Sequence, residues 1–217
     1  MEKSSQHWPR RKFISTTGCT GIAVLVAPLL SWTRKPANDP VTRLVDQTIG
    51  IDTHNHMDVP FAMEAFAALT YDLTGEMKKS GLSAMCMTFC VDRPALTKEG
   101  EAYQRFITSL DEMDAMLKAN GVQRALNFAD IQAANKNHKP VVIQSVEGGH
   151  FIEGKLERIH AAYNRGLRHL GLMHDNQANP PIGDIYTDAS KFSGLTEYGL
   201  NIIKECNKLG ILIDLAH

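Results

Sequence analysis

Five runs with strand character punctuate this 217-residue chain, at Thr48–Thr53, Leu82–Val91, Pro140–Val146, Leu167–Met173 and Ile211–Leu215. The segments between them show helical spacing. Strands that are apolar on both faces need cover on both faces, and a parallel sheet under helices provides it. Three of the runs add a second constraint. Ile51-Asp52-Thr53-His54-Asn55-His56-Met57-Asp58, then Val146-Glu147-Gly148-Gly149-His150, then the run ending in His217, each close on metal-ligand residue types. A parallel barrel gathers the C-terminal ends of its strands on one rim. The expected fold is therefore a (β/α)₈ TIM-type barrel. About 250 residues are typical of that fold. Five strands are expected here, and the other three would lie past His217.

The helical segments follow from periodicity and stop signals. Val41–Gln47 reads as a short helix or lead-in. Residues 61–80 carry helical spacing that includes Leu73 and Met77 and stops at Ser80-Gly81. Tyr103, Phe106, Ile107, Leu110, Met113 and Leu117 recur at three- and four-residue steps and predict a long amphipathic helix over 98–119, with Asn120-Gly121 as its left-handed cap. A weaker helix is predicted over 128–135, and further helices over 156–165 and 195–209. Residues 175–193, rich in Asn, Asp, Pro and Gly, read as a long loop at the active-site end.

The first 37 residues are of a different kind. Arg10-Arg11-Lys12 precedes the apolar stretch Gly21–Trp32 and a polar exit at Thr33-Arg34-Lys35-Pro36. This is the pattern of an export signal, and the paired arginines point to the twin-arginine route. The apolar stretch is short of the roughly 20 residues that span a bilayer. The expectation is an exported, periplasmic or extracytoplasmic body over 38–217, with the twin-arginine machinery as a partner. An uncleaved signal acting as a membrane anchor is the alternative. Residues 1–37 hold six of the 23 Lys and Arg (Lys3, Arg10, Arg11, Lys12, Arg34, Lys35) and one of the 24 acids (Glu2), so the body is mildly acidic. With a net charge of −1 and no basic stripe, no nucleic-acid partner is expected. Outside the signal remain Cys86, Cys90 and Cys206, read as buried free thiols.

The strand ends carry the chemistry. Side chains alternate along a strand, so Asp52, His54 and His56 share a face. A His-x-His pair there can place two imidazoles on one divalent ion. Asp58, two residues further on, stays open as a contributor. Glu147 ends a buried strand, where a carboxylate is costly unless a cation or metal balances it. It reads as a carboxylate bridging two metals, and the two glycines after it permit an abrupt turn. His217, alternating with Leu215, reads as a ligand; Asp214 points to the side opposite Leu215. His174, after the fourth strand, reads as a substrate contact. His150 is either behind these residues or part of a plain loop. His138, His160 and His169 have no context that lifts them above surface or core histidines.

In this order the motifs D-x-H, Y-D-L-T-G-E-M-K-K-S-G-L-S-A, V-E-G-G-H, L-R-H-L-G-L-M-H-D-N and G-L-T-E-Y-G-L-N-I-I-K-E-C-N-K-L-G-I-L-I-D-L-A-H resemble the membrane (renal-type) dipeptidase family of zinc peptidases, from about residue 48 to 217. The resemblance implies a two-zinc site with His54 on the first strand, Glu147 bridging the ions, His217 on the second metal, and His174 as the catalytic, substrate-binding histidine beside the oxyanion. It implies hydrolysis of dipeptides to amino acids by a metal-bound hydroxide, and it leaves room for a homodimer. Other amide, lactone or β-lactam hydrolysis on the same barrel is the rival reading, as is an inactive truncated fragment. The family usually shows His-x-Asp where this chain has His54-Asn55-His56. Taking His56-Met57-Asp58-Val59-Pro60 as the family's H-x-D-x-P is the alternative register. A sixth-strand His, a substrate-binding Arg and a catalytic Asp are expected past residue 217.

Overall fold

The computed structural model describes residues 39–56 and 72–217. The export stretch, Asp58 and the helical spacing over 61–71 lie outside the described residues. The chain divides into two compact units, residues 1–47 and 48–217. In the first, helix α1 (Pro40–Gln47) buries no residue. Asp39 caps it by accepting from the Thr42 backbone N–H at 3.0 Å and the Thr42 hydroxyl at 3.2 Å.

The second unit is built on one parallel sheet, in the spatial order β1 (Ile51–Asn55), β2 (Ala84–Cys90), β3 (Val141–Glu147), β4 (Leu167–Gly171), β5 (Leu212–Asp214). Helices α2 (Leu73–Ser80), α3 (Glu101–Asn120), α4 (Phe128–Asn137), α5 (Glu157–Asn164) and α6 (Glu197–Leu209) fall between the strands. Spatial order equal to sequence order, with helical connections, is the winding of a barrel. The sheet also curls. Strands lie about 4.8 Å apart, so a flat sheet would separate β1 from β5 by about 19 Å. Instead His54 Nδ1 lies 3.7 Å from Asp214 Oδ2. The five strands form part of a (β/α)₈ TIM-type barrel.

The apolar cover follows the periodicity. All seven residues of β2 are buried. Met85, Met87 and Phe89 join the main core with Phe106, Leu110, Met113 and Leu117 of α3. Alternation turns Cys86, Thr88 and Cys90 to the concave side. Phe106 stacks on Phe151 with ring centroids 4.0 Å apart, which ties α3 to a 3₁₀ turn over Gly149–Ile152 that the sequence did not announce. Gly121 closes α3 at φ 63°, and Thr196 caps α6 by accepting from the Gly199 N–H. Cys86, Cys90 and Cys206 are free and buried.

Three boundaries depart from the sequence reading in ways that bear on the strand ends. β1 begins at Ile51, not Thr48, and runs on to Asn55, so His54 is inside the strand and His56 just past it. β4 stops at Gly171, two residues before Met173. β5 stops at Asp214, where the Ala216 N–H turns back to the Asp214 carboxylate at 2.9 Å. His217 then has φ 61°. The alternation expected to aim His217 is therefore absent; a turn brings it round. Asp214 lies on the side opposite the exposed Leu215, as expected, and that side is the concave one.

Candidate metal centre

Glu147 is the centre of the rim. It is 4% exposed, and its ion-pair partners among the described residues are four histidines. Its Oε1 lies 2.8 Å from His217 Nε2 and 3.6 Å from His54 Nε2. Its Oε2 lies 3.1 Å from His56 Nε2 and 3.4 Å from His174 Nε2. His54 Nε2 and His56 Nε2 are 2.9 Å apart. The structure thus brings together His54, His56, Glu147, His174 and His217. By distance they form two groups that share Glu147: His54, His56, Glu147, and Glu147, His174, His217. His174, expected as a substrate contact, falls among potential ligands.

Local structure explains how short segments reach one point. β3 holds Glu147 in register with Cys90 of β2. The chain then bends at Gly148, where φ is 90° and a Cβ would come within 2.5 Å of His150 Nδ1. Gly171 of β4 lets that strand pass close, since a Cβ there would lie 3.3 Å from the Glu147 Cα. His56 is also anchored by its Nδ1, 3.2 Å from the Thr88 carbonyl.

Behind these imidazoles stand carboxylates that the sequence reading did not single out. Asp92, fully buried after β2, accepts from His174 Nδ1–H at 2.7 Å. It also accepts from the Asn176 backbone N–H at 3.2 Å and side-chain N–H at 2.9 Å. Burial pushes the Asp92 carboxyl up, but these hydrogen bonds and the nearby His150 and His174 outweigh it and hold the carboxyl well below the ordinary range. His150, 2% exposed, donates from Nε2 to the Asn176 carbonyl at 2.7 Å, and burial lowers its pKa. Asp175 lies 3.3 Å from His217 Nδ1, accepts from the Tyr186 hydroxyl at 2.7 Å, and pairs with Arg93. Asp214 stands between His54 Nδ1 at 3.7 Å and His169 Nε2 at 3.8 Å. His169, passed over in the sequence, is buried, bonds the Ser145 hydroxyl at 2.7 Å, and has its pKa lowered by burial. Two signals pointed to these groups: Asp92 sits two residues past a buried strand, and Asp175 directly follows His174.

Beside Glu147 opens a cavity of about 540 Å³ whose lining includes His54, His169, Asp214 and His217. The donor set suits a divalent ion such as zinc, which takes imidazole nitrogen and carboxylate oxygen. A carboxylate this buried, surrounded by imidazole nitrogens at 2.8–3.6 Å, is one that such an ion would balance.

Residues 38–217 match the family model described as membrane dipeptidase (peptidase family M19). Dipeptidase 3 of Mus musculus is 29% identical over 132 residues, covering 57% of this chain and 25% of that protein. The chain thus spans about a quarter of the length of this curated relative. Among solved structures, a metallopeptidase titled dipeptidase AC superposes with a TM-score of 0.66 at 21% identity, covering 79% of this chain and 57% of that one. A metallopeptidase from Rhodobacter sphaeroides, liganded with a phosphinate mimic of the dipeptide L-Ala-D-Ala, gives 0.54 at 21% identity, covering 83% and 57%. At those identities the structures bear on the fold alone.

Proposed function

From the premise that this chain belongs to the membrane dipeptidase family, peptidase family M19, we propose that it supplies the metal-binding half of a barrel that hydrolyses dipeptides outside the cytoplasm. The observation that carries the reading is the pair of ligand groups sharing Glu147. Shared ligation of that kind suits two zinc ions. His54 and His56 would hold one ion and His217 the other, with Glu147 common to both.

Bound zinc supplies Lewis acidity, which polarises a carbonyl and makes water a nucleophile near neutral pH. The residues of this chain do the rest by position. Asp214 stands behind His54 and Asp175 behind His217, in the manner of carboxylates that fix a ligand imidazole. We assign His174 to the substrate; Asp92 holds its Nδ1, and its Nε2 reaches the rim, 3.4 Å from Glu147. The adjoining cavity admits a dipeptide-sized molecule.

The natural protein titrated with zinc is expected to take up about two equivalents. Glu147→Gln, which keeps the shape and removes the charge, is expected to take up markedly less, as is His217→Ala. Metal analysis of the dialysed proteins decides this, and unchanged stoichiometry would remove the site assignment. Substrate class is read on the natural protein with dipeptides, acyl-amides, lactones and β-lactams side by side. Turnover of lactones without turnover of dipeptides would move the reading to the rival hydrolases.

A further inference from the structure

We propose that Asp92 is a positioning residue for His174. It holds the imidazole proton on Nδ1 and so turns an Nε2 of fixed tautomer and aim toward the Glu147 rim. The proposal rests on the reading of His174 as the substrate contact.

The hydrogen bonds around Asp92 leave little freedom. One carboxylate oxygen accepts from His174 Nδ1–H at 2.7 Å. The other accepts from two Asn176 donors at 3.2 and 2.9 Å. The Asn176 side chain also donates to the Asp92 carbonyl at 3.2 Å, so residue 176 grips residue 92 at three points. Asn176 is held in turn by His150, whose Nε2–H reaches the Asn176 carbonyl at 2.7 Å. The other His150 nitrogen has no partner among the described residues and faces the Gly148 backbone. The loop after β2, the turn after β3 and the loop after β4 are thereby locked to each other beside one imidazole.

An ionised carboxylate accepts and cannot donate. Of the two carboxylate contacts of this ring the one to Asp92, at 2.7 Å, is the shorter, so the proton of the neutral ring is assigned to Nδ1, and the nitrogen 3.4 Å from Glu147 is Nε2. Carboxylates that orient a functional imidazole through its far nitrogen are a recurrent arrangement. Cys90 completes a potential three-ligand group with Asp92 and His174. Both Asp92 oxygens are already committed, however. Burial, with the charges of Asp92 and Glu147, pushes the Cys90 thiol up to about 11, so it stands by as a neutral neighbour.

The informative substitution is Asp92→Asn. Its single acceptor oxygen satisfies the two Asn176 donors only if the new NH₂ turns to His174. That NH₂ needs a lone pair at Nδ1, so the proton must move to Nε2. Long-range ¹H–¹⁵N spectra of the histidine rings of the chain read the tautomer directly and require no turnover. The wild type is expected to show His174 with Nδ1–H, and Asp92→Asn with Nε2–H. Asn176→Ala, which leaves the Asp92–His174 bond in place, is expected to keep Nδ1–H, and this variant with the wild type decides the matter if Asp92→Asn does not fold. On the natural protein, Asp92→Asn is expected to lower kcat about 10–100-fold with metal content unchanged, the range seen when an orienting partner is lost. A wild-type His174 with Nε2–H overturns the proposal, as does an Asp92→Asn protein that retains both Nδ1–H and full kcat. If the natural wild type hydrolyses no dipeptide, the functional reading fails, while the tautomer measurement still decides the role of Asp92.

Discussion

Glu147 and His56 show how much of this rim is held by single side chains. Glu147 meets water hardly at all, and four imidazoles share its two oxygens. His56 touches three of the neighbours that matter: Glu147 Oε2 at 3.1 Å, His54 Nε2 at 2.9 Å and the Thr88 carbonyl at 3.2 Å. Its removal strips a donor from the first group and leaves its ring space open. We expect His56→Ala to weaken zinc binding by more than the roughly 10–100-fold typical of losing a group behind a ligand, and Asp58→Ala to weaken it much less. Competition with a chelating dye measures both. The reverse order would favour the register that aligns His56-Met57-Asp58-Val59-Pro60 with the family's motif. His54, His56, Glu147 and His217 were visible in the sequence because strand ends mark themselves: an apolar run stops at a residue that apolar surroundings penalise. Asp92, Asp175, Asp214 and His169 were not, because their importance depends on what faces them from another strand. Asp92 meets Asn176 across 84 positions of sequence. Asp214 meets His54 of β1 and His169 of β4.

The loop between β2 and α3 presents Asp92, and α3 holds that loop at its base. Glu101, in the first turn of α3, accepts from the Thr97 backbone N–H at 2.7 Å, the Thr97 hydroxyl at 3.1 Å and the Lys98 N–H at 3.2 Å. It also pairs with Arg105 at 2.7 Å, and Arg105 donates to the carbonyls of Val91, at 3.0 Å, and Pro94. The Thr97 and Arg105 hydrogen bonds hold the Glu101 carboxyl at about 2, below its ordinary 4.5. A carboxyl lowered on folding adds stability above its unfolded pKa and loses it as pH falls through the folded one. Glu101→Gln is therefore expected to melt at a lower temperature than the wild type near neutral pH. The gap should close as pH falls from about 4.5 toward about 2. Melting curves across that range check it, and a gap independent of pH would assign the effect to shape instead of charge. Helices such as α3 were legible from spacing and caps. The 3₁₀ turn at Gly149–Ile152 was not, since its Phe151 is held by stacking on Phe106, a contact no local pattern encodes.

Across the whole molecule, alternation of element types conveyed the barrel winding, and family membership agrees with it. The curl itself follows from the barrel reading, and its closeness is seen where His54 of β1 meets Asp214 of β5. No helix among the described residues is long and apolar enough to cross a membrane. Export is our proposal for residues 1–37, which lie outside the described residues. Replacing Arg10 and Arg11 by Lys keeps the charge and removes the pair that the twin-arginine receptor reads. The precursor is expected to stay in the cytoplasm on cell fractionation, and normal export would favour a general secretory signal or a simple anchor. The curl of the sheet has a mechanical meaning. His54 and His56 belong to the end of one edge strand, His217 follows the other, and Glu147 stands on the middle strand. Ions held by these residues would tie the two borders of the sheet across its hollow, as a bowstring ties the tips of a bow. Tension in the string and bend in the bow are then a single variable. Any contact that flattens the sheet would loosen the ions, and any contact that keeps it bent would tighten them by the same factor that the ions favour the bend.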